Sequence, residues 1–511
     1  MQINTITTFG ALKKSGYKSL SIKEELRKNL IAKLRSGEKF FEGIHGFEHT
    51  VIPDLERAIL SRHNIILLGL RGQAKTRIAR LLTSLLDEYI PVVAGSDLND
   101  DPFNPLSFYA KNLLAEKGDA TPIEWMRRDS RYTEKLATPD VSIADLIGDV
   151  DPIKAANLKL NYNDERVIHF GLIPRSHRCI FVINELPDLQ ARIQVALFNI
   201  LQEGDIQIRG FKIRLPLDIQ FVFTANPEDY TNRGSIVTPL KDRIESQILT
   251  HYPKDIATSK IITSQEAKIN HEQQQRVQLN ELAKDMIEQI AFEARKSEYV
   301  DQKSGVSARM TITALENLVS GAERRALKSN DDITYVRVSD FWSVVPSLTG
   351  KIELVYEGEQ EGPYIVAINL IGKAVRAQFT NYFPAPEKAK KPLGKKGETE
   401  PEAKKKPIYQ DIINWFNEGN TVDLLNESNN AEYRKALEKI PGLKKLVQTL
   451  HPKVSADEQY FLMEFVLHGL SEYSLLSKHF LHTGTQFTDL FSSMFTEDPL
   501  SELEEDDDFT I

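Results

Sequence analysis

The stretch from Asn64 to Thr76 constrains this chain more than any other. Ile65-Ile-Leu-Leu68 is a short apolar run that reads as a buried strand. It runs into Gly69-Leu-Arg-Gly-Gln-Ala-Lys-Thr76, and a helical pattern then continues through Leu86. Strand, glycine-containing loop and helix in this order form the layout of a phosphate-binding loop, whose backbone N–H groups and helix N-terminus face an anion. Gly69, Gly72, Gln73, Ala74, Lys75 and Thr76 are then the expected nucleotide contacts. Lys75 would reach the β- and γ-phosphates, and the Thr76 hydroxyl would hold Mg²⁺. ATP and Mg²⁺ are thus the expected cofactors. Ala74 stands where the usual pattern has a second glycine, and its Cβ restricts a turn that glycine takes freely.

The chain has 511 residues, room for about three domains of ordinary size. A net charge of −9 argues against a nucleic-acid footprint over the whole chain and suggests no nucleic-acid partner. The single cysteine, Cys179, excludes an internal disulfide and a cysteine-based metal site, and its apolar neighbours place it in a core. No apolar run approaches the roughly 20 residues a membrane span needs, and the N-terminus lacks the apolar centre of a signal peptide. A cytoplasmic location is expected.

Ser21 precedes a helical pattern over 22–34, and a second helix over 51–61 leads into the loop strand. Pro91-Val-Val-Ala94 reads as the next strand, and 95–145 as a long polar insertion with some helix. Further strands are Ile180-Phe-Val-Ile183 and Ile219-Gln-Phe-Val-Phe223, with a hairpin pattern around Gly210 between them. Strands alternating with helices predict an α/β fold with a parallel sheet and ligands at the strand C-termini. From about 275 the pattern turns helical, at 283–298, 311–328 and 365–379. Residues 384–407 are dense in Lys, Glu and Pro and read as a disordered linker. Helical periodicity returns from 408 and ends in an acidic tail, Glu502-Leu-Glu-Glu-Asp-Asp-Asp508.

A phosphate loop needs partners to hydrolyse a nucleotide. Strand Ile180-Phe-Val-Ile183 runs into Asn184-Glu185, where such proteins carry acidic residues. The first position serves the metal, normally through water, and the second activates the attacking water. Asn184 lacks the charge of an aspartate but could still accept a hydrogen bond from a metal-bound water; Glu185 keeps the carboxylate. Asn226, at the tip of the following strand, can position the same water. Arg243 can stabilise phosphate charge from an adjacent subunit, with Arg233 as its rival. Arg309 opens a helix that could reach the phosphates from the other side.

In this order the motifs resemble those of the AAA+ ATPases of the MoxR and magnesium-chelatase I-subunit group, over about 41–379. Gly69-Leu-Arg-Gly-Gln-Ala-Lys-Thr76 matches Walker A, and Phe181-Val-Ile-Asn-Glu-Leu186 matches Walker B. Residues 191–205 with the following hairpin look like the helix-2 insert. Thr224-Ala-Asn-Pro227 resembles sensor 1, Pro239-Leu-Lys-Asp-Arg-Ile244 the arginine-finger segment, and Val306-Ser-Ala-Arg309 sensor 2. The resemblance implies an N-terminal helical extension (1–40), an AAA+ α/β core (41–270), a helical lid (271–383), the linker (384–407) and a helical C-terminal module with its acidic tail (408–511). It also implies a homo-oligomeric ring, a hexamer, with ATP at the subunit interfaces and hydrolysis remodelling a protein partner. That partner would be a von Willebrand A-domain protein or the other subunits of a chelatase. The alternatives are a true magnesium-chelatase subunit driving Mg²⁺ insertion into protoporphyrin, a nucleotide-gated scaffold with little hydrolysis, and an enhancer-binding transcription activator. The last would carry a Gly-Ala-Phe-Thr-Gly-Ala loop, which this sequence lacks.

Overall fold

Ile65–Leu68 is buried along its whole length because it lies inside a sheet covered on both faces. The computed structural model describes residues 5–161, 164–208, 214–227, 236–386, 408–481 and 483–490. Its main sheet has five strands: β1 (Ile65–Leu68), β2 (Tyr132–Leu136), β3 (Cys179–Asn184), β4 (Ile219–Ala225) and β5 (Ser246–Leu249). They lie in the order β5-β1-β4-β3-β2, all parallel. Side chains alternate between the faces. Ile66, Leu68, Phe181, Ile183, Phe221 and Phe223 enter one core. Ile65, Leu67, Ile180, Val182, Val222 and Ile248 enter the other. A parallel sheet buried on both faces has near-continuous apolar strands, which is why β1, β3 and β4 stand out in the sequence.

The second core is closed by helices α1 (Ile22–Ser36), α2 (Val51–Leu60) and α3 (Lys75–Leu81), through Leu26, Leu30, Leu55, Ile59, Ile78 and Ala79. Ser21 caps α1, its side chain accepting from the Glu24 N–H, and left-handed Gly37 ends it. Buried Glu25 on α1 accepts two hydrogen bonds from Arg131, at 2.6 and 2.7 Å, which ties α1 to the residue ahead of β2. Cys179 is buried at the start of β3, as its apolar neighbours suggest.

Two expectations about the sheet change. The strand at Tyr89–Val93 does not join the main sheet; it pairs antiparallel with Ile123–Arg127. The place beside β3 is taken by β2, which lies within the stretch read as an insertion. That stretch is structured, holding the helix Phe108–Lys117 and both of these strands. The two halves of the expected hairpin pair as Asp205–Gln207 with Arg214–Pro216, while Gly210 at its tip lies outside the described residues.

The chain divides into two compact units, Met1–Tyr252 and Pro253–Ile511. In the second, α4 (Glu281–Ala294), α5 (Arg309–Ser329), α6 (Pro363–Tyr382) and α7 (Ala456–Glu472) share one core through Met286, Leu318, Phe379 and Phe465. The region after 408 is helical and adds a small antiparallel sheet the sequence did not suggest, in the order Val422–Leu425, Gly484–Thr488, Ser477–Leu481. Among the described residues no helix is long and apolar enough to cross a membrane. Most of the linker and the acidic tail lie outside the described residues.

Candidate active site

The strand order sets the site. β1 pairs with β4, Leu68 opposite Ala225, and β4 pairs with β3, Phe223 opposite Ile183. The loop after β1, the Asn184-Glu185 tip of β3 and the Asn226 tip of β4 therefore share one edge. It is the carboxyl edge of a parallel sheet, where its order reverses and where such sheets bind ligands.

The loop is built for close approach. A Cβ on Gly69 would collide with Thr250 Oγ1 and Gln73 Oε1. Gln73 is buried, its oxygen accepting from the Thr250 hydroxyl at 2.7 Å. The Gly69 N–H donates to Ala225 O at 3.2 Å, and the Tyr252 hydroxyl to Arg71 O at 2.9 Å. Gly72 (φ +73°) and Ala74 (φ +57°) are left-handed, and Ala74 stands directly ahead of α3. Left-handed turns of this kind aim successive N–H groups inward and form an anion-binding concavity. The loop thus fits a phosphate chain.

Ala74 takes the left-handed turn despite its Cβ, at a cost of about 1–2 kcal/mol. Ala74→Gly is expected to stabilise the protein by about 0.5–1 kcal/mol once the added freedom of the unfolded chain is subtracted. That is a rise of about 1–4 °C in Tm for a unit of this size. Thermal unfolding reads it; a lower Tm would show that the packing of this Cβ outweighs the turn's cost.

Lys75 Nζ donates to Gly69 O, to Leu70 O at 2.9 Å and to Asn226 Oδ1 at 2.9 Å. Its ammonium group thus sits between the loop and the tip of β4. Asn184 is buried, and its Oδ1 accepts from the Thr224 hydroxyl at 3.1 Å. The same hydroxyl accepts from the Glu185 N–H at 3.1 Å. Glu185 is exposed and left-handed (φ +56°), a strained backbone at the tip of a central strand. Thr76 is half-buried in the first turn of α3.

The fit to Mg²⁺ is poorer. The Thr76 hydroxyl suits it, but the Asn184 amide carries no charge and its oxygen already gives one of its two lone pairs to Thr224. Among the described residues no group of three or more acidic, His or Cys side chains could hold a metal ion.

Arg243 stands apart from this cluster at the end of the helix Thr238–Asp242. Its Nε donates to Gln202 Oε1 at 3.1 Å and its Nη1 to Pro239 O at 2.7 Å, with the guanidinium 5.0 Å from the Phe198 ring centroid. Arg233 lies outside the described residues. Arg309 belongs to the second unit, where it is exposed at the start of α5. Sequence reasoning missed Thr224, Thr250 and Tyr252. Thr224 is two residues from Asn226, but only the strand register shows that it clamps Asn184.

The parallel sheet, the loop after its first strand and the polar tips of β3 and β4 decide the fold. It is a phosphate-loop α/β fold with the parallel strand order β5-β1-β4-β3-β2. No family model matches the chain. Among solved structures, it is similar to a protein of Cytophaga hutchinsonii described as an ATPase, at 19% identity over 71% of this chain and 97% of that one, with a TM-score of 0.27. It is similar to a complex of the magnesium-chelatase subunits BchI and BchD, at 20% identity over 63% and 98%, with a TM-score of 0.33. It is also similar to ADP-bound NtrX of Brucella abortus, at 12% identity over 65% and 62%, with a TM-score of 0.35.

Proposed function

We propose that this chain is an ATP-hydrolysing motor of the MoxR and magnesium-chelatase type that works as a ring and remodels a protein partner. The observation that carries the reading is the contact of Lys75 Nζ with Asn226 Oδ1 at 2.9 Å. It couples the phosphate loop to the tip of a neighbouring strand, where a bound γ-phosphate would be sensed. In this reading Lys75 and the loop N–H groups bind the phosphates, Asn226 orients the attacking water, and Glu185 takes its proton. Arg243 adds positive charge from a neighbouring subunit. ATPase rate with size analysis, with and without ATP, tests this. A steady rate and an ATP-dependent ring support it; a monomer without turnover overturns it.

A nucleotide-gated scaffold with little turnover is the second reading, favoured by the strained Ala74 and by the engaged amide of Asn184. ATP-dependent assembly without measurable phosphate release would select it. A true magnesium-chelatase role would require this chain to support Mg²⁺ insertion into protoporphyrin together with chelatase partner subunits.

If Arg243 acts across the interface, Arg243→Ala mixed with Lys75→Ala should recover part of the activity that neither variant has alone. Some interfaces in the mixed ring then join an intact Lys75 to an intact Arg243. No recovery at any mixing ratio would place Arg243 in a role within its own subunit, matching its bonds to Gln202 and Pro239.

A further inference from the structure

We infer that Thr224 is a positioning residue for this site: its hydroxyl holds the left-handed turn at Glu185 and so aims the carboxylate that takes the water's proton. The inference rests on the proposed hydrolysis with Glu185 as its base. Backbone pairing between β3 and β4 ends at Ile183 opposite Phe223. Glu185 lies two residues past that pair, and there its N–H meets a side chain, donating to Thr224 Oγ1 at 3.1 Å. Thr224 is 3% exposed, so little water is at hand to replace this bond. The hydroxyl is itself oriented. Its hydrogen goes to Asn184 Oδ1 at 3.1 Å, which leaves a lone pair for the Glu185 N–H. Asn184 is anchored in turn through its carbonyl, which accepts from the Ala137 N–H at 2.8 Å.

Glu185 has φ +56°, a conformation that residues other than glycine keep only where their surroundings impose it. Its side chain is exposed and makes no hydrogen bond or ion pair among the described residues. The direction of the carboxylate is therefore set by the backbone beneath it. Two bonds fix that backbone: the N–H to Thr224, and the carbonyl, which accepts from the Asp188 N–H at 2.9 Å. Asp188 belongs to the same turn and moves with it. Thr224 belongs to β4, where it lies opposite Leu67 of β1, so its bond is the one that ties the turn to the sheet. Two residues further along β4, Asn226 accepts from Lys75 Nζ at 2.9 Å. One strand end thus holds both the phosphate-loop lysine and the base. A shift of about 1 Å in a reacting group costs on the order of a hundredfold in rate, so loosening this tie should be felt in turnover before binding.

The test measures ATP hydrolysis and ADP binding on the full chain, for Thr224→Val and Thr224→Ser. Valine keeps nearly the shape of threonine without the hydroxyl; serine keeps the hydroxyl and loses the methyl. With rates taken per chain that binds ADP, kcat of Thr224→Val should fall by about tenfold to a hundredfold while its Kd for ADP stays within about threefold of the unaltered value. Thr224→Ser should keep both kcat and Kd within about threefold. A packing role alone predicts the reverse order, with serine the poorer because it leaves a small cavity, and that result overturns the inference. So does an unaltered kcat in Thr224→Val. In a Glu185→Gln background Thr224→Val should lower hydrolysis no further, because the base it aims is gone; a full additional loss also overturns the inference. Should Thr224→Val fail to fold, Thr224→Ser and Thr224→Ala, which differ by the hydroxyl alone, carry the same comparison, and equal kcat in the two overturns it. An unaltered chain that binds ADP without turning over ATP overturns the hydrolysis reading, and the inference falls with it, so the two failures are distinguishable.

Discussion

Lys75→Ala is expected to weaken nucleotide binding about a hundredfold or more while leaving the fold intact. The Lys75 ammonium already donates to Gly69 O, Leu70 O and Asn226 Oδ1 in the free protein. A phosphate chain in the loop would take over part of this donor capacity with charged acceptors. Hydrogen bonds involving a charged group contribute about 1.5–3 kcal/mol net. Losing the lysine's contacts to both phosphates should cost about 3 kcal/mol, more than a hundredfold in Kd. The loop keeps its other ties, from Gly69 N to Ala225 O, Thr250 to Gln73 and Tyr252 to Arg71. Thermal stability without nucleotide should therefore change little. Calorimetric titration with ADP alongside thermal unfolding checks both halves. Unchanged affinity would remove the phosphate-loop reading. A large fall in Tm without nucleotide would show that Lys75 mainly holds the loop.

What could be read from the sequence follows from burial. β1, β3 and β4 lie in the interior of the sheet and are apolar on both faces, so their composition alone marks them. β2 is the edge strand. Its Thr133-Glu134-Lys135 centre is only half-buried, and Glu134 pairs with Arg80 at 2.9 Å. Such a strand has no apolar signature and reads as loop. Tyr89–Val93 has the opposite problem. It is apolar because it is buried, but its burial comes from pairing with Ile123–Arg127 outside the main sheet. Composition reports burial and is silent on the partner. The sheet at Val422–Leu425, Ser477–Leu481 and Gly484–Thr488 escaped notice because two of its strands carry Ser, His, Thr and Gln.

The site divides along the same line. Lys75, Asn184, Glu185 and Asn226 could be named because each ends or follows an apolar strand. Their interactions could not. The Lys75–Asn226 contact joins residues 151 positions apart, and the Thr224 clamp on Asn184 joins residues 40 apart. Both depend on β4 lying between β1 and β3, an order that linear spacing leaves open. Thr224 also changes the meaning of Asn184. In the sequence it is an amide that could accept from a metal-bound water; in the fold its oxygen already accepts once, from Thr224, and has one lone pair left.

Glu185→Gln should separate binding from turnover. Glu185 is exposed and makes no ion pair among the described residues. Its backbone is fixed independently of its carboxylate, by its N–H to Thr224 Oγ1 and by the Asp188 N–H to its carbonyl at 2.9 Å. Glutamine has the same shape and can take the same left-handed turn, so the strand tip should keep its geometry. Glutamine carries the same backbone strain as glutamate, so this exposed change should move stability by no more than about 0.5 kcal/mol. Only the basicity is lost. A general base contributes about 10²–10⁴ in rate, so hydrolysis should fall by about that factor while affinity stays within about threefold. If the chain assembles on ATP, the variant should also remain assembled in ATP long after the unaltered protein has exhausted its supply. Phosphate release and size analysis over time read the two effects. Hydrolysis at the unaltered rate would assign the strain at the β3 tip to something other than water activation. Loss of binding together with hydrolysis would mean that the carboxylate helps hold the nucleotide and is not a base alone.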